Sequence, residues 1–227
     1  MVELLLDRAV YGMAEVDRLL RLPAGTARRW IDGYERGGRV YPPVIRGEPT
    51  GDELVTWGEF VETRLLAAYR DKGVPLVRMR PAIQRLRAEL GVEHPLAWAK
   101  PYVGGRDLVA RVQDETGLER RFFLVELRTG QLVLGAQAEQ FVSSVEFTDP
   151  TDGYVERIRP LGRHSSVVID PLRSFGDPAV RSVPTSVIAE EFRAGDAPES
   201  IAAGFELELR DVYDALRFEM GTEALAA

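Results

Sequence analysis

The chain has 227 residues, of which 45% are hydrophobic, and its formal net charge is -7. Such a length and composition predict a globular protein with one large domain or two to three small ones. The absence of cysteine excludes disulfide frameworks, thiolate metal sites and thiol nucleophiles. The first residues lack the pattern of a signal peptide, and no apolar run reaches about 18 residues. We therefore expect a soluble, cytoplasmic protein with no membrane partner.

Charge is distributed unevenly along the chain. Only Lys72 and Lys100 among the 29 basic residues are lysines, and asparagine is absent, which is typical of codon bias in a GC-rich genome. Arginine content alone is therefore weak evidence of function, and the positions of the arginines along the chain are more informative. Residues 8–46 and 60–90 each carry a net charge of +4, whereas residues 166–219 carry -6. This division predicts an anionic partner for the basic half and a different partner for the acidic half.

The first elements have the pattern of a helix-turn-helix. The spacing of Val16, Leu19 and Leu20 predicts a short amphipathic helix over residues 13–20. After a Pro/Gly interruption, Thr26 is the expected N-cap of a second helix. The apolar face of that helix repeats at helical spacing and comprises Ala27, Trp30, Ile31 and Tyr34. Trp30 is therefore interpreted as a core residue and not as a base-stacking one.

The segment after the second helix, residues 37–46, is predicted to form a wing of two extended stretches about a glycine turn. In winged helix-turn-helix proteins the start of the recognition helix reads base edges, often through arginine on guanine, and wing arginines are expected to meet phosphates or the minor groove. The alternative is an ordinary solvated basic face. The predicted DNA-binding residues are Thr26, Arg28, Arg29, Arg36, Arg39 and Tyr41.

Two further helices are predicted over residues 57–72 and 75–90, and Pro81 can divide the second into a short turn and a longer helix. The outer side of this second stretch is basic. Its arginines are Arg78, Arg80, Arg85 and Arg87. This additional basic surface has three possible roles: contact with DNA, pairing with the acidic domain of another subunit, or simple solvation.

Between residues 104 and 163 the apolar period changes to two, which predicts a small antiparallel meander. The alternating positions are Leu108, Ala110 and Val112, then Phe123, Val125 and Leu127. The sequence RTGQ at residues 128–131 is expected to form a tight turn, as is DPTDG at 149–153. Residues 137–147 are compatible with helix or strand, and residues 154–158 are expected to form a strand.

From residue 165 onward a strand and Pro/Gly-rich turns precede three predicted helices, at 184–194, 198–203 and 208–219, which can close one trihelical core. The predicted fold class is α+β, mostly helical. It comprises an N-terminal winged helix-turn-helix, a helical segment, a small antiparallel β meander and a C-terminal trihelical, helix-turn-helix-like domain. The predicted domain ranges are 1–55, 56–103, 104–163 and 164–227.

Catalytic patterns are missing from the sequence. Both histidines, His94 and His164, are interpreted as solvated loop residues. No nucleophile elbow, phosphate-cradling loop or His/carboxylate cluster with metal-ligand spacing is visible. The C-terminal carboxylates interleave with apolar helix positions, which indicates solvated helix faces. We therefore predict that the protein is not an enzyme and needs no cofactor or metal.

Two segments resemble known families. YGMAEVDRLLRLPAGTARRWIDG resembles the winged helix-turn-helix of MerR-like and excisionase-like regulators. The region from Val167 to Glu219 is similar to the domain of unknown function 433 family. Its marks here are Ile169-Asp170-Pro171, Gly176-Asp177-Pro178, Ala194-Gly195-Asp196 and Pro198-Glu199.

Proteins that join these two segments look like VapB-type antitoxins, the partners of PIN-like ribonuclease toxins. The resemblance implies a type II toxin-antitoxin system in which the protein neutralises the toxin and represses its own operon by binding double-stranded operator DNA. A homodimer is expected because helix-turn-helix proteins usually bind two half-sites. The alternative is a stand-alone MerR-like transcriptional regulator whose middle or C-terminal region binds a ligand or dimerises.

Overall fold

The computed structural model of the chain describes residues 5–118, 124–128 and 131–221. Its fold is α+β and mostly helical, with nine α-helices and five small sheets among these residues, which confirms the predicted class. The chain forms two compact units. The N-terminal unit contains residues 1–142 and 147–155, and the C-terminal unit contains residues 143–146 and 156–227. No helix in the described ranges has the length and apolarity needed to cross a bilayer.

The N-terminal unit begins with a helix-turn-helix and a wing. The elements are β1 (Ala9–Gly12), α1 (Met13–Leu19), α2 (Thr26–Ile31), β2 (Tyr34–Arg36), β3 (Arg39–Tyr41) and β4 (Leu54–Thr56). Strands β2 and β3 form an antiparallel hairpin in which Tyr34 lies opposite Tyr41, and β1 pairs with β4. The two predicted helices and the wing are therefore present, but the wing hairpin spans residues 34–41 and not the predicted 37–46.

One detail of the predicted second helix is wrong. Tyr34 does not continue the apolar face of α2, because the helix ends at Ile31. Gly33 follows with a φ of +78°, and a Cβ atom there would lie 2.6 Å from the Tyr41 carbonyl oxygen. A left-handed residue packed this closely favours glycine and stops the helix. Tyr34 consequently becomes the first residue of the wing.

Two long helices follow, α3 (Trp57–Asp71) and α4 (Arg80–Leu90). Thr56 and Glu59 form a capping box at the start of α3, and the Trp57 indole donates to the Val155 carbonyl oxygen over 2.8 Å. A 3-10 turn at Leu76–Arg78 precedes α4, and Pro81 occupies the first turn of that helix. The predicted division into a short turn and a longer helix is thus confirmed.

The end of α2 is tied to the start of α3 by a buried arginine. The Arg46 Nε atom donates to Glu59 over 2.6 Å, and an Nη atom donates to Asp32 over 2.9 Å. All three side chains are less than a tenth exposed. The guanidinium also donates to the Leu54 carbonyl oxygen and the Thr50 hydroxyl, so its hydrogen-bonding capacity is used inside the protein. We call Arg46, Asp32 and Glu59 the Arg46 triad.

Protonation states in the Arg46 triad follow from its contacts. Burial acts to lower the pKa of Arg46, but the hydrogen bonds and charges of Glu59 and Asp32 outweigh burial and raise it. Burial likewise acts to raise the pKa of Asp32. The Thr50 N–H, the Arg46 guanidinium and the Gly51 N–H outweigh that effect and lower it. Both shifts favour the charged forms of Arg46 and Asp32.

The remainder of the N-terminal unit differs from the predicted meander. The elements are α5 (Arg106–Glu115), β5 (Val125–Arg128), β6 (Gln131–Leu134) and α6 (Ala136–Ser143). The alternation at Leu108, Ala110 and Val112 is wrong as a strand signal, because Val109 and Val112 are the buried pair at helical spacing. The Gln113 side chain then hydrogen-bonds the backbone of Val125.

Strands β5 and β6 pair antiparallel, as expected on either side of the RTGQ turn. Residues 129 and 130 of that turn, together with Phe123, lie outside the described residues. The segment 137–147, which is compatible with helix or strand, contains both: most of it lies in α6, and a short strand follows. DPTDG forms the predicted turn, in which the Asp149 carboxylate accepts from the Thr151 and Asp152 N–H groups.

His94 is not the solvated loop residue that its position suggests. It is 6% exposed, and its Nδ1 atom lies 3.5 Å from a carboxylate oxygen of the fully buried Glu62. Burial acts to lower the pKa of His94, but the neighbouring Glu62 carboxylate outweighs burial and raises it. His164, in contrast, is exposed as predicted.

The C-terminal unit contains short strands and three helices. The strands are β9 (Val167–Val168), β10 (Ala179–Val180) and β11 (Val183–Pro184), preceded along the chain by the paired β7 (Val145–Phe147) and β8 (Val155–Ile158). The helices are α7 (Thr185–Ala194), α8 (Pro198–Gly204) and α9 (Leu209–Met220). Val180, Ile188, Ile201, Val212 and Leu216 belong to one buried core, which matches the predicted trihelical arrangement.

Replacement of Arg46 tests the Arg46 triad. Arg46→Met leaves two buried carboxylates without their cation, so we expect the free energy of unfolding to fall by about 3–5 kcal/mol. The matched control is Arg85→Met, since Arg85 is 49% exposed where it pairs with Glu89 and should contribute about 0–1 kcal/mol. Urea denaturation measures both variants. Equal losses would contradict a special role for Arg46.

The His94–Glu62 pair predicts a pH dependence of stability. Because the folded pKa of His94 is raised above the unfolded value of about 6.5, the pair stabilises the protein fully below that pH. This stability is lost as pH rises through the folded pKa. His94→Gln should abolish that part of the dependence, and His164→Gln should retain it. Denaturation curves across the mildly acidic to alkaline range check the prediction, and an unchanged profile in His94→Gln would refute it.

Candidate nucleic-acid interface

The start of α2 is fixed by a carboxylate from α1. Asp17 is 6% exposed, and its two oxygens accept from the Gly25 N–H over 2.6 Å and the Ala27 N–H over 2.7 Å. Helix N-termini leave backbone N–H groups without intrahelical partners, and this side chain supplies acceptors for them. Asp17 has no capping signal in the sequence, because it lies in the preceding helix and not at the expected position Thr26.

Thr26, a predicted DNA contact, is buried. Its side chain is 1% exposed, and its hydroxyl accepts from an Arg29 Nη atom over 2.8 Å. A hydroxyl buried in this way is not presented to a duplex in this conformation. Thr26 therefore orients Arg29, whose side chain is exposed at the surface of α2.

Arg28, the second arginine of α2, forms an ion pair with Glu53 in the loop before β4. Its side chain is 44% exposed, and that of Glu53 is 66% exposed. An ion pair at such an exposed site is weak, and a phosphate or base edge can replace the carboxylate. Arg28 is therefore accessible, although it is neutralised locally when DNA is absent.

The wing carries the remaining predicted contacts. The rings of Tyr34 and Tyr41 stack with their centroids 4.6 Å apart, and the Arg39 guanidinium lies 5.3 Å from the Tyr41 centroid. Arg36 and Arg39 are both exposed and have no ion-pair partner among the described residues. Tyr41 is partly buried in this stack, so it supports the hairpin that presents the two arginines.

Most arginines of the additional basic surface are bound to other groups of the N-terminal unit. Arg80 donates to the Pro43 carbonyl oxygen over 2.7 Å, and Arg87 donates to the carbonyl oxygens of Ile45 and Glu93. Arg85 pairs with Glu89. These arginines hold α4 against the segment that follows the wing or are neutralised. Arg78 is exposed in the 3-10 turn but has an interaction of its own.

A cavity of about 320 Å³ lies beside α2 and the wing, entirely within the N-terminal unit. Its walls include Trp30, Tyr34 and Tyr41, together with the exposed side chain of Val77. Trp30 is only partly buried and lines this cavity, so it is not the fully buried core residue that its spacing predicts. The Arg70 guanidinium lies 5.4 Å from the Trp30 centroid. We call this space the wing cavity.

The C-terminal unit exposes an aromatic residue on a strained turn. Ser174 and Phe175 have φ values of +48° and +55°, and Phe175 is 95% exposed. Neighbouring Leu172 is 59% exposed, and its N–H donates to the Asp170 carboxylate. Left-handed backbone at residues other than glycine is unfavourable and often marks a functional site. This turn could not be predicted from the sequence, because Ser and Phe carry no signal for a positive φ.

Carboxylates dominate the surface of the three C-terminal helices. Exposed carboxylates that have no ion-pair partner among the described residues are those of Glu190, Asp196, Glu199 and Glu206. No group of three or more His, Cys, Asp or Glu residues in the part of the chain that the structure describes has an arrangement suited to a metal ion.

Comparison with known proteins identifies matches in both units. Residues 9–83 match the family described as "Putative DNA-binding HTH domain", and residues 167–218 match "Protein of unknown function (DUF433)". The chain is also 41% identical over 220 residues to the uncharacterized protein Rv2308 of Mycobacterium tuberculosis (strain ATCC 25618 / H37Rv), across 94% of this chain and 91% of that protein. The chain belongs to the Rv2308 family.

Two further similarities agree with this family assignment. The chain is 29% identical over 235 residues to "Putative antitoxin VapB45" of the same organism, across 95% of this chain and 97% of that protein. The crystal structure of Rv2018 from Mycobacterium tuberculosis superposes with a TM-score of 0.74 at 26% identity and covers 94% of this chain and all of that chain. These matches confirm the resemblance predicted from the sequence, namely an N-terminal helix-turn-helix joined to a C-terminal DUF433 domain, as in a VapB-type antitoxin.

Proposed function

We propose that this Rv2308 family member is the DNA-binding antitoxin of a type II toxin-antitoxin system. In this proposal the helix-turn-helix binds operator DNA and represses the operon, and the C-terminal unit neutralises a PIN-like ribonuclease. The observation that carries the proposal is the exposure of Arg29, Arg36 and Arg39 on α2 and the wing, within a segment that matches a DNA-binding family. The similarity to VapB45 supports the antitoxin role.

The DNA contacts divide by position. Arg29 and Arg28, on the helix that enters the major groove, are assigned to base edges, and Arg28 exchanges Glu53 for DNA on binding. Arg36 and Arg39 are assigned to phosphates or the minor groove through the wing. A homodimer would place two such surfaces on two half-sites of an operator. The Arg46 triad keeps α2 and the wing in the orientation that this docking needs.

Toxin neutralisation is assigned to the C-terminal unit because its surface suits a nuclease. A ribonuclease holds a polyanionic substrate in a basic cleft, and residues 166–219 carry a net charge of -6. The same charge argues against DNA binding by this unit, because DNA affinity depends on neutralising phosphates. Phe175 is the proposed anchor of the contact, since it is an almost fully exposed aromatic side chain and aromatic residues dominate interface hot spots.

Salt-dependent DNA binding tests the operator surface. Arg39→Ala should weaken binding to promoter DNA and to random duplex alike and reduce the salt slope by about 0.9, because one phosphate contact is lost. Arg29→Ala should instead lower discrimination between the two duplexes by about 1–3 kcal/mol. Fluorescence anisotropy at several salt concentrations measures both effects. The control is Arg193→Ala on α7, which should bind like wild type. Wild-type affinities in both Arg39→Ala and Arg29→Ala would contradict the assignment.

Co-expression tests the antitoxin function. The protein should form a complex with a PIN-like nuclease encoded beside its gene and relieve the growth arrest that the nuclease causes. Phe175→Ser should weaken the complex by about 2 kcal/mol or more, as loss of an interface hot spot does. Tyr213→Ser is the matched control, since Tyr213 is also an exposed aromatic of this unit. DNA binding without a nuclease complex would support the stand-alone regulator instead.

A further inference from the structure

The wing cavity has the composition of a binding site for a small molecule. It is close to the lower end of the roughly 300–1,000 Å³ range of ligand sites, which suits a compound of one or two rings. Aromatic rings from α2 and the wing line one part, and Val44, Leu76 and Val77 line another. Val77 is 64% exposed and Tyr34 is 39% exposed, so apolar surface remains open to solvent at this site. These walls favour a flat apolar ligand.

Two cations in the same cavity specify the charge of that ligand. Arg29 and Arg70 both line the space, and neither guanidinium has a carboxylate partner among the residues that the structure describes. The Arg29 guanidinium donates to the Thr26 hydroxyl, and the Arg70 guanidinium lies over the Trp30 ring, and these contacts orient both groups. An oriented arginine without a counter-ion is a strong donor for a carboxylate.

We propose that the wing cavity binds a small planar aromatic carboxylate, with its ring against the apolar side chains of Val44, Leu76 and Val77 and its carboxylate facing Arg29 and Arg70. All the lining residues lie between residues 29 and 77, inside the segment that matches the DNA-binding family. Ligand binding itself is independent of the proposed function. Its consequence, which rests on that function, is that the bound ligand competes with DNA, because Arg29 serves both.

Calorimetry on the full chain without DNA tests the site directly. The probes are 2-naphthoate and its neutral isostere 2-naphthamide. Wild-type protein should bind the carboxylate at least about tenfold more tightly than the amide, since only the carboxylate makes charge-assisted hydrogen bonds. Equal affinities, or no heat of binding with 2-naphthoate at millimolar concentration, would overturn the proposal.

Two exposed positions supply variants that should fold normally. Arg70→Gln should weaken 2-naphthoate binding about tenfold and affect 2-naphthamide binding far less, because the substitution removes the charge and keeps most of the side chain at the cavity wall. Val77→Glu adds a carboxylate at the cavity and should repel the anion in the same selective way. Arg193→Gln, outside the cavity, is the control. A loss of both probes in Arg70→Gln, or of neither, would contradict the assigned role of the guanidinium.

The competition with DNA is measured separately. A saturating concentration of 2-naphthoate should reduce the affinity of wild-type protein for promoter DNA about tenfold, and the same concentration should have little effect on Arg70→Gln. Unchanged DNA affinity in wild-type protein would overturn the coupling. Absence of DNA binding without ligand would instead refute the proposed function, so the two failures are distinguishable.

Discussion

The N-terminal unit depends on the Arg46 triad. Asp32 follows the last residue of α2, Glu59 lies in the first turn of α3, and the buried Arg46 guanidinium bonds both. Backbone N–H groups of Val44 and Ile45 donate to the Trp30 carbonyl oxygen, which closes the end of α2. A buried ion pair is a poor source of net stability, but loss of one member is severe, so the arrangement specifies one geometry. The triad therefore fixes the position of α2, and of the wing that follows it, relative to α3.

This constraint explains how an acidic chain can present a basic face. Arginines near α2 have two distinct environments: Arg46, Arg80 and Arg87 are engaged by carboxylates or carbonyl oxygens inside the fold, whereas Arg29 and Arg39 are left at the surface. Most of the net negative charge belongs to the other unit. Overall net charge consequently says little about the electrostatic potential that a duplex meets, which is set locally within about 10 Å at ordinary salt.

Periodic features were predictable from the sequence, and long-range polar contacts were not. The spacing of apolar residues predicted α1, α3 and the three C-terminal helices, and the paired glycines predicted the wing. Alternation misled at Leu108–Val112 because, over five residues, periods of 2 and 3.6 share positions. Asp17, Arg46 and His94 were missed for another reason: each is polar by type, and its buried partners lie on other elements of the fold, which the apolar periodicity does not identify. Phe175 lay beyond prediction, since its backbone strain has no residue signature.

Hydrogen exchange of the full chain, with and without duplex DNA from its own promoter, is the most direct test of the central claim that the Arg46 triad orients one DNA-reading surface. We predict slower amide exchange across residues 26–46 on binding and no change across residues 166–219. In Arg46→Met the protection at residues 26–46 should be lost. Protection confined to the C-terminal unit, or unchanged exchange at residues 26–46 in wild-type protein, would contradict the account.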